Sequence, residues 1–110
     1  MTTPRVADLA ALLAEQGGAA YREVLRSDAL SLGLFAVDAG HTDTQSPHGE
    51  DEVYVVVSGR AVLVVDGERT AVSAGSVAYV PAGVPHRFED IGDDLRVVVV
   101  FAGPEGSAAT

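Results

Sequence analysis

Gly40-His-Thr-Asp-Thr-Gln-Ser-Pro-His-Gly-Glu-Asp-Glu-Val-Tyr-Val-Val-Val-Ser-Gly59 and Gly75-Ser-Val-Ala-Tyr-Val-Pro-Ala-Gly-Val-Pro-His86 are the two stretches that decide how this chain is read. The first is a polar, turn-rich passage that runs directly into a dense β-branched segment, which favours a strand over a helix. The second is a short strand followed by a loop stiffened by Pro81 and Pro85, which delivers His86 at a fixed angle. Residues two apart on a strand share a face, so Ser46 and His48 point the same way, and Glu52 shares its face with Tyr54 and Val56.

Outward from these stretches, strand signals recur at short intervals. Tyr21–Arg26, Leu30–Val37, Val53–Val57, Ala61–Val65, Arg69–Val72, Ser76–Val80, His86–Glu89 and Leu95–Phe101 are the expected strands. Asp66-Gly67 reads as a hairpin turn, and the valine run before Phe101 as a strand buried on both faces. Ser58-Gly59 reads as the close of a strand. One helix is expected over residues 4–16, with Thr3 as its cap, Pro4 in its first turn, and Val6, Leu9, Ala10 and Leu13 as its apolar stripe. Gly17-Gly18 ends it, and residues 103–110 form a frayed tail. The expectation is one domain, with a barrel or sandwich core over about residues 21–102. Strand counting alone does not separate an immunoglobulin-like sandwich, a lipocalin-like barrel and a jelly roll.

Composition narrows the function. The 110 residues include no cysteine, which excludes disulfides, thiolate nucleophiles and Cys-ligated metal, so any metal is held by nitrogen and oxygen donors. The net charge is −9, with 7 basic residues, all arginine and none clustered; nucleic acid and anionic membrane surfaces are therefore not expected partners. No apolar run approaches the roughly 20 residues of a membrane span and no leader pattern opens the chain, so a cytoplasmic protein is expected.

The three histidines, at 41, 48 and 86, carry the chemistry. Gly40, His48, Glu52 and Gly59 fall on the pattern G-x5-H-x-H-x3–4-E-x6-G, and Gly75, Pro81, Gly83 and His86 on G-x5-P-x-G-x2-H-x3-N. The stretch from about residue 30 to 101 thus resembles the cupin superfamily, in particular its small single-domain members. The resemblance implies an all-β fold, the double-stranded β-helix or jelly-roll barrel, here with a short N-terminal helix. It also implies one divalent transition metal ion (Fe, Mn, Ni, Zn or Cu) held by His48, Glu52 and His86, a donor set of two imidazoles and one carboxylate. Ser46 stands in the slot of the first motif histidine, and Asp90 in that of the closing asparagine.

Ser46, Gln45 or His41 is a candidate fourth donor, although a serine hydroxyl is a poor ligand and water or substrate suits that position better. His41 is expected as an exposed loop residue. Tyr54, Tyr79 and Phe88 are candidates to line a pocket beside the metal, or else plain core. Arg87 should face away from His86, and Glu50 and Asp51 read as a solvated turn. The alternative for Glu52 and His86 is a buried polar pair that closes the barrel without metal.

Two functions follow. One is a metalloenzyme acting on a small organic molecule with dioxygenase- or isomerase-type chemistry, in which Glu52 is also the candidate proton shuttle. The other is a small-ligand binding or sensing module without turnover. A homodimer is expected, built on the N-terminal helix and strand Leu30–Val37.

Overall fold

The computed structural model describes residues 6–17, 20–43 and 49–102. Its elements are one helix, α1 (Leu9–Gln16), and six strands: β1 (Tyr21–Arg26), β2 (Leu30–Val37), β3 (Glu52–Val65), β4 (Glu68–Ser73), β5 (Val77–Val80) and β6 (His86–Ala102). All pairings are antiparallel, in the order β1-β2-β6-β3-β4, with β5 also on β3.

β3 and β6 are long enough to serve two layers. The first part of β3, Glu52 to Val55, pairs with β5 on one side and with the end of β6 on the other. The second part, Arg60 to Val65, pairs with β4 and with the start of β6. The result is a layer β1-β2-β6-β3-β5 folded over a layer β6-β3-β4, a jelly-roll barrel. Rings from the two layers meet in the middle: Phe88 lies 5.9 Å from Phe35 and 5.3 Å from Tyr54, centroid to centroid. Leu95, Val97, Val80 and Tyr54 are all at or below 1% exposure. Burying each such side chain contributes about 1.5–3 kcal/mol.

The eight expected strands become six because two turn signals proved to be bends within strands. Ser58-Gly59 does not close a strand; pairing of β3 with β6 shifts register there and resumes. Gly59 has φ 97°, and a Cβ on it would stand 2.5 Å from the Asp94 carbonyl oxygen and 2.7 Å from Leu95 Cα. Only glycine lets β3 cross β6 so closely. Likewise the polar run between Glu89 and Leu95 stays in β6, with Asp90 at φ 50°, a conformation Asp and Asn tolerate better than other residues. The expected hairpin at Asp66-Gly67 is present: φ is 50° and 84°, as a two-residue turn between Val65 and its partner Glu68 requires.

The helix is shorter than expected. It starts at Leu9, capped by the Asp8 carboxylate, which accepts from the Ala10 amide at 3.2 Å. Val6 is outside it and 98% exposed, while Thr3, Pro4 and Gly18 lie outside the described residues. The face turned to the barrel is Leu12, Leu13 and Gln16, whose Nε2 donates to the Leu34 carbonyl at 3.0 Å. β2 is correspondingly well covered, with Leu34 through Val37 all buried. No helix among the described residues is long and apolar enough to cross a membrane.

Candidate metal centre

Glu52 opens β3 and His86 opens β6. The inward parity of β3 places Glu52, Tyr54 and Val56 on the core face, and that of β6 does the same for His86 and Phe88. Because the two residues belong to opposite layers, folding the sheet brings them face to face. His86 Nε2 approaches Glu52 Oε2 at 3.1 Å, and both side chains are 1% exposed.

The other ring nitrogen fixes the tautomer. Nδ1 stands 2.8 Å from the Val84 carbonyl oxygen, which only accepts, so Nδ1 carries the hydrogen. A neutral His86 would then turn the Nε2 lone pair toward a carboxylate oxygen. Two acceptors at this separation need a cation or a proton between them. Without metal, the proton supplies it: burial pulls the His86 pKa down, but contact with Glu52, the Val84 carbonyl and the charge of Asp43 outweigh burial and leave it raised. Glu52 Oε1 is buried and accepts no hydrogen bond among the described residues. A lone pair on nitrogen and a spare carboxylate oxygen, sealed from water, suit a divalent cation of the type that takes mixed nitrogen and oxygen donors.

The loop that positions His86 is tied down at several points. The Asp51 carboxylate accepts from the Ala82 amide at 2.8 Å, and the Pro85 carbonyl accepts from the Asp66 amide at 2.9 Å. On the free edge of β6, the Asp43 carboxylate accepts from the Phe88 amide at 2.8 Å.

Of the residues singled out from sequence, the structure brings Glu52, His86, Tyr54 and Phe88 together; the Tyr54 ring lies 6.2 Å from the imidazole. His48, Ser46 and Gln45 lie outside the described residues, and no group of three or more metal-donor side chains forms among those described. Tyr79 is not part of the interior: it is 60% exposed on the opposite face of β5. Arg87 and His41 are exposed. Glu50 and Asp51 are not a solvated turn, since Glu50 is 1% exposed and Asp51 is half-buried in the loop contact just described. Glu50 is two residues from Glu52, and that same-face spacing was the available signal. Buried Asp43 had none.

A jelly-roll barrel whose interior carries an inward Glu at the start of one long strand and an inward His at the start of another defines a class, the double-stranded β-helix proteins. The chain belongs to the cupin domain family, which matches residues 33–102. An uncharacterized protein of Streptomyces coelicolor is 55% identical over 101 residues, spanning 92% of this chain and 95% of the relative. Among solved structures, a Neisseria meningitidis protein superposes with a TM-score of 0.75 at 21% identity, covering 90% of this chain and all of that one. The DMSP lyase DddQ from Ruegeria pomeroyi superposes with a TM-score of 0.65 at 23% identity, over 70% of this chain and 40% of the lyase. These structural likenesses speak to the fold.

Proposed function

We propose that this chain is a small metal-binding cupin that acts on a small organic molecule by dioxygenase- or isomerase-type chemistry. The observation that carries the reading is the buried Glu52–His86 contact, with Nδ1 committed to Val84 and Nε2 turned toward a carboxylate that has an oxygen to spare. His48, Glu52 and His86 would hold one divalent transition metal ion. When bound, that ion supplies Lewis acidity toward a carbonyl or enolate oxygen.

The residues of the chain supply the rest. The Val84 carbonyl holds the imidazole in the tautomer that presents Nε2. Tyr54 and Phe88 wall the pair off from water, so charges there act at low dielectric. Glu52 can take up and return a proton at Oε1. That a neighbour in fold is named a lyase is compatible with an enzyme role.

A second reading, binding or sensing without turnover, is favoured by Ser46 in the slot of the first motif histidine. Metal-dependent turnover or oxygen uptake on a panel of small carbonyl compounds supports the enzyme; ligand-dependent thermal stabilisation with no product supports the sensor.

A further inference from the structure

Register, not proximity in sequence, sets what lies beside His86. On the layer β6-β3-β4, His86 pairs with Val65, and Val65 with Glu68. The next inward row is Phe88, Leu63 and Thr70. Directly paired residues share a face, so Glu68 and Thr70 stand on the same inner face as His86. Two inter-strand spacings put Glu68 about 10 Å from it. Yet Glu68 and Thr70 are exposed while Leu63 is buried, which means that the barrel is open along β4.

The opening is a cleft of about 580 Å³ between β4 and β5, closed at one end by the loop that carries Pro81 and Val84. That volume is within the usual range for small-molecule sites. Leu63, Val65 and Val72 supply its apolar floor, and Glu68 and Asp66 its charge. No basic side chain lines it among the described residues. Arg69, the one basic residue of β4, alternates to the other face, where it pairs with Glu89 and Asp90. The exposed Glu68 side chain makes no ion pair or hydrogen bond among the described residues.

We propose that this cleft, which adjoins His86 through Val65 and Val84, binds a small molecule with an apolar body and a cationic head, an ammonium or similar group, seated at Glu68. Carboxylates and phosphates are turned away by the same acidic lining. The inference stands apart from the functional reading above, because the selectivity is a property of the cleft alone.

The test uses chelator-treated full-length protein, so that binding is read without metal or turnover. Hexylamine and hexanoate are titrated in turn while backbone amide resonances are followed. Hexylamine should saturate with shifts centred on Val65, Thr70 and Ala78, and hexanoate should bind more weakly. Glu68→Gln should weaken hexylamine about three- to fivefold, the worth of one exposed ionic contact, and Glu68→Lys should reverse the preference. Both substitutions are at an exposed position, and an unchanged spectrum elsewhere confirms the fold. Equal or tighter binding of hexanoate, shifts located elsewhere, or no saturable binding of either probe overturns the proposal. Loss of metal binding in a separate assay would instead overturn the functional reading and leave the cleft's selectivity standing.

Discussion

Glu52→Gln should reverse the pH dependence of stability in the metal-free protein. In the native pair, His86 has a raised pKa in the folded state. A raised value means that the folded protein holds a proton the unfolded chain has lost. The stabilisation is therefore complete below the unfolded value of about 6.5 and fades as pH rises through the folded pKa. Replacing the carboxylate with an amide removes the main influence that favours the imidazolium. Burial, the largest single influence on this group, then dominates and pulls the pKa down. The variant should thus gain stability as pH rises toward neutrality, the opposite slope.

The magnitude follows from the burial of both partners at 1% exposure. At pH 5 the variant faces either an unpaired buried imidazolium or the cost of deprotonating it, so it should lose about 3–5 kcal/mol. Above the folded pKa of His86, where the imidazole is neutral in both proteins, the difference should shrink to about 1–2 kcal/mol. Urea unfolding of chelator-treated protein at a series of pH values reads both quantities. Parallel curves for native protein and variant would refute the reasoning, because they would mean that the two side chains do not share a proton in the fold.

Gly59→Ala should cost about 2–4 kcal/mol by thermal or urea unfolding, since it combines a positive φ with a clash against the Asp94 and Leu95 backbone; a loss below about 0.5 kcal/mol would show that β3 need not cross β6 there. Phe88→Ala removes the ring that joins the two layers and should cost about 3–5 kcal/mol in the same assay. The chain should be a homodimer by light scattering, and exposed apolar side chains on the outer face of β3 and β5, Val53, Val77 and Tyr79, offer a surface for it. Val53→Glu should then yield a monomer, and a native protein that is already monomeric at high micromolar concentration would contradict this.

Much of the barrel was legible because its strands obey simple alternation. Tyr21–Arg26 and Leu30–Val37 have the bounds expected from sequence, and the Asp-Gly turn was unambiguous. What misled were residues with two meanings. Ser58-Gly59 is chemically a turn but structurally a bulge, because a glycine permits both a chain reversal and a close crossing, and only the partner strand decides which. The run from Asp90 to Asp94 is polar enough to look like a loop, yet β6 carries it along an edge where polarity is no penalty. The helix failed at its start because Asp8, a strong cap, outcompetes an earlier beginning. At the site, alternation correctly turned Glu52 and Tyr54 inward, but the same rule applied to the acidic run would also have buried Glu50. Tyr79 departs from the rule that aromatic residues in strands face a core, because β5 is a short strand whose outer face is open.

The metal content of the purified protein tests the account most directly. Elemental analysis of native protein, after reconstitution with each of Fe, Mn, Ni, Zn and Cu, should find close to one equivalent of one ion, and His86→Ala, Glu52→Gln and His48→Ala should each fall to about a tenth of that or less. Native protein that retains no ion under any of these conditions, or variants that retain as much as the native chain, would contradict the claim that Glu52 and His86 meet in order to bind metal.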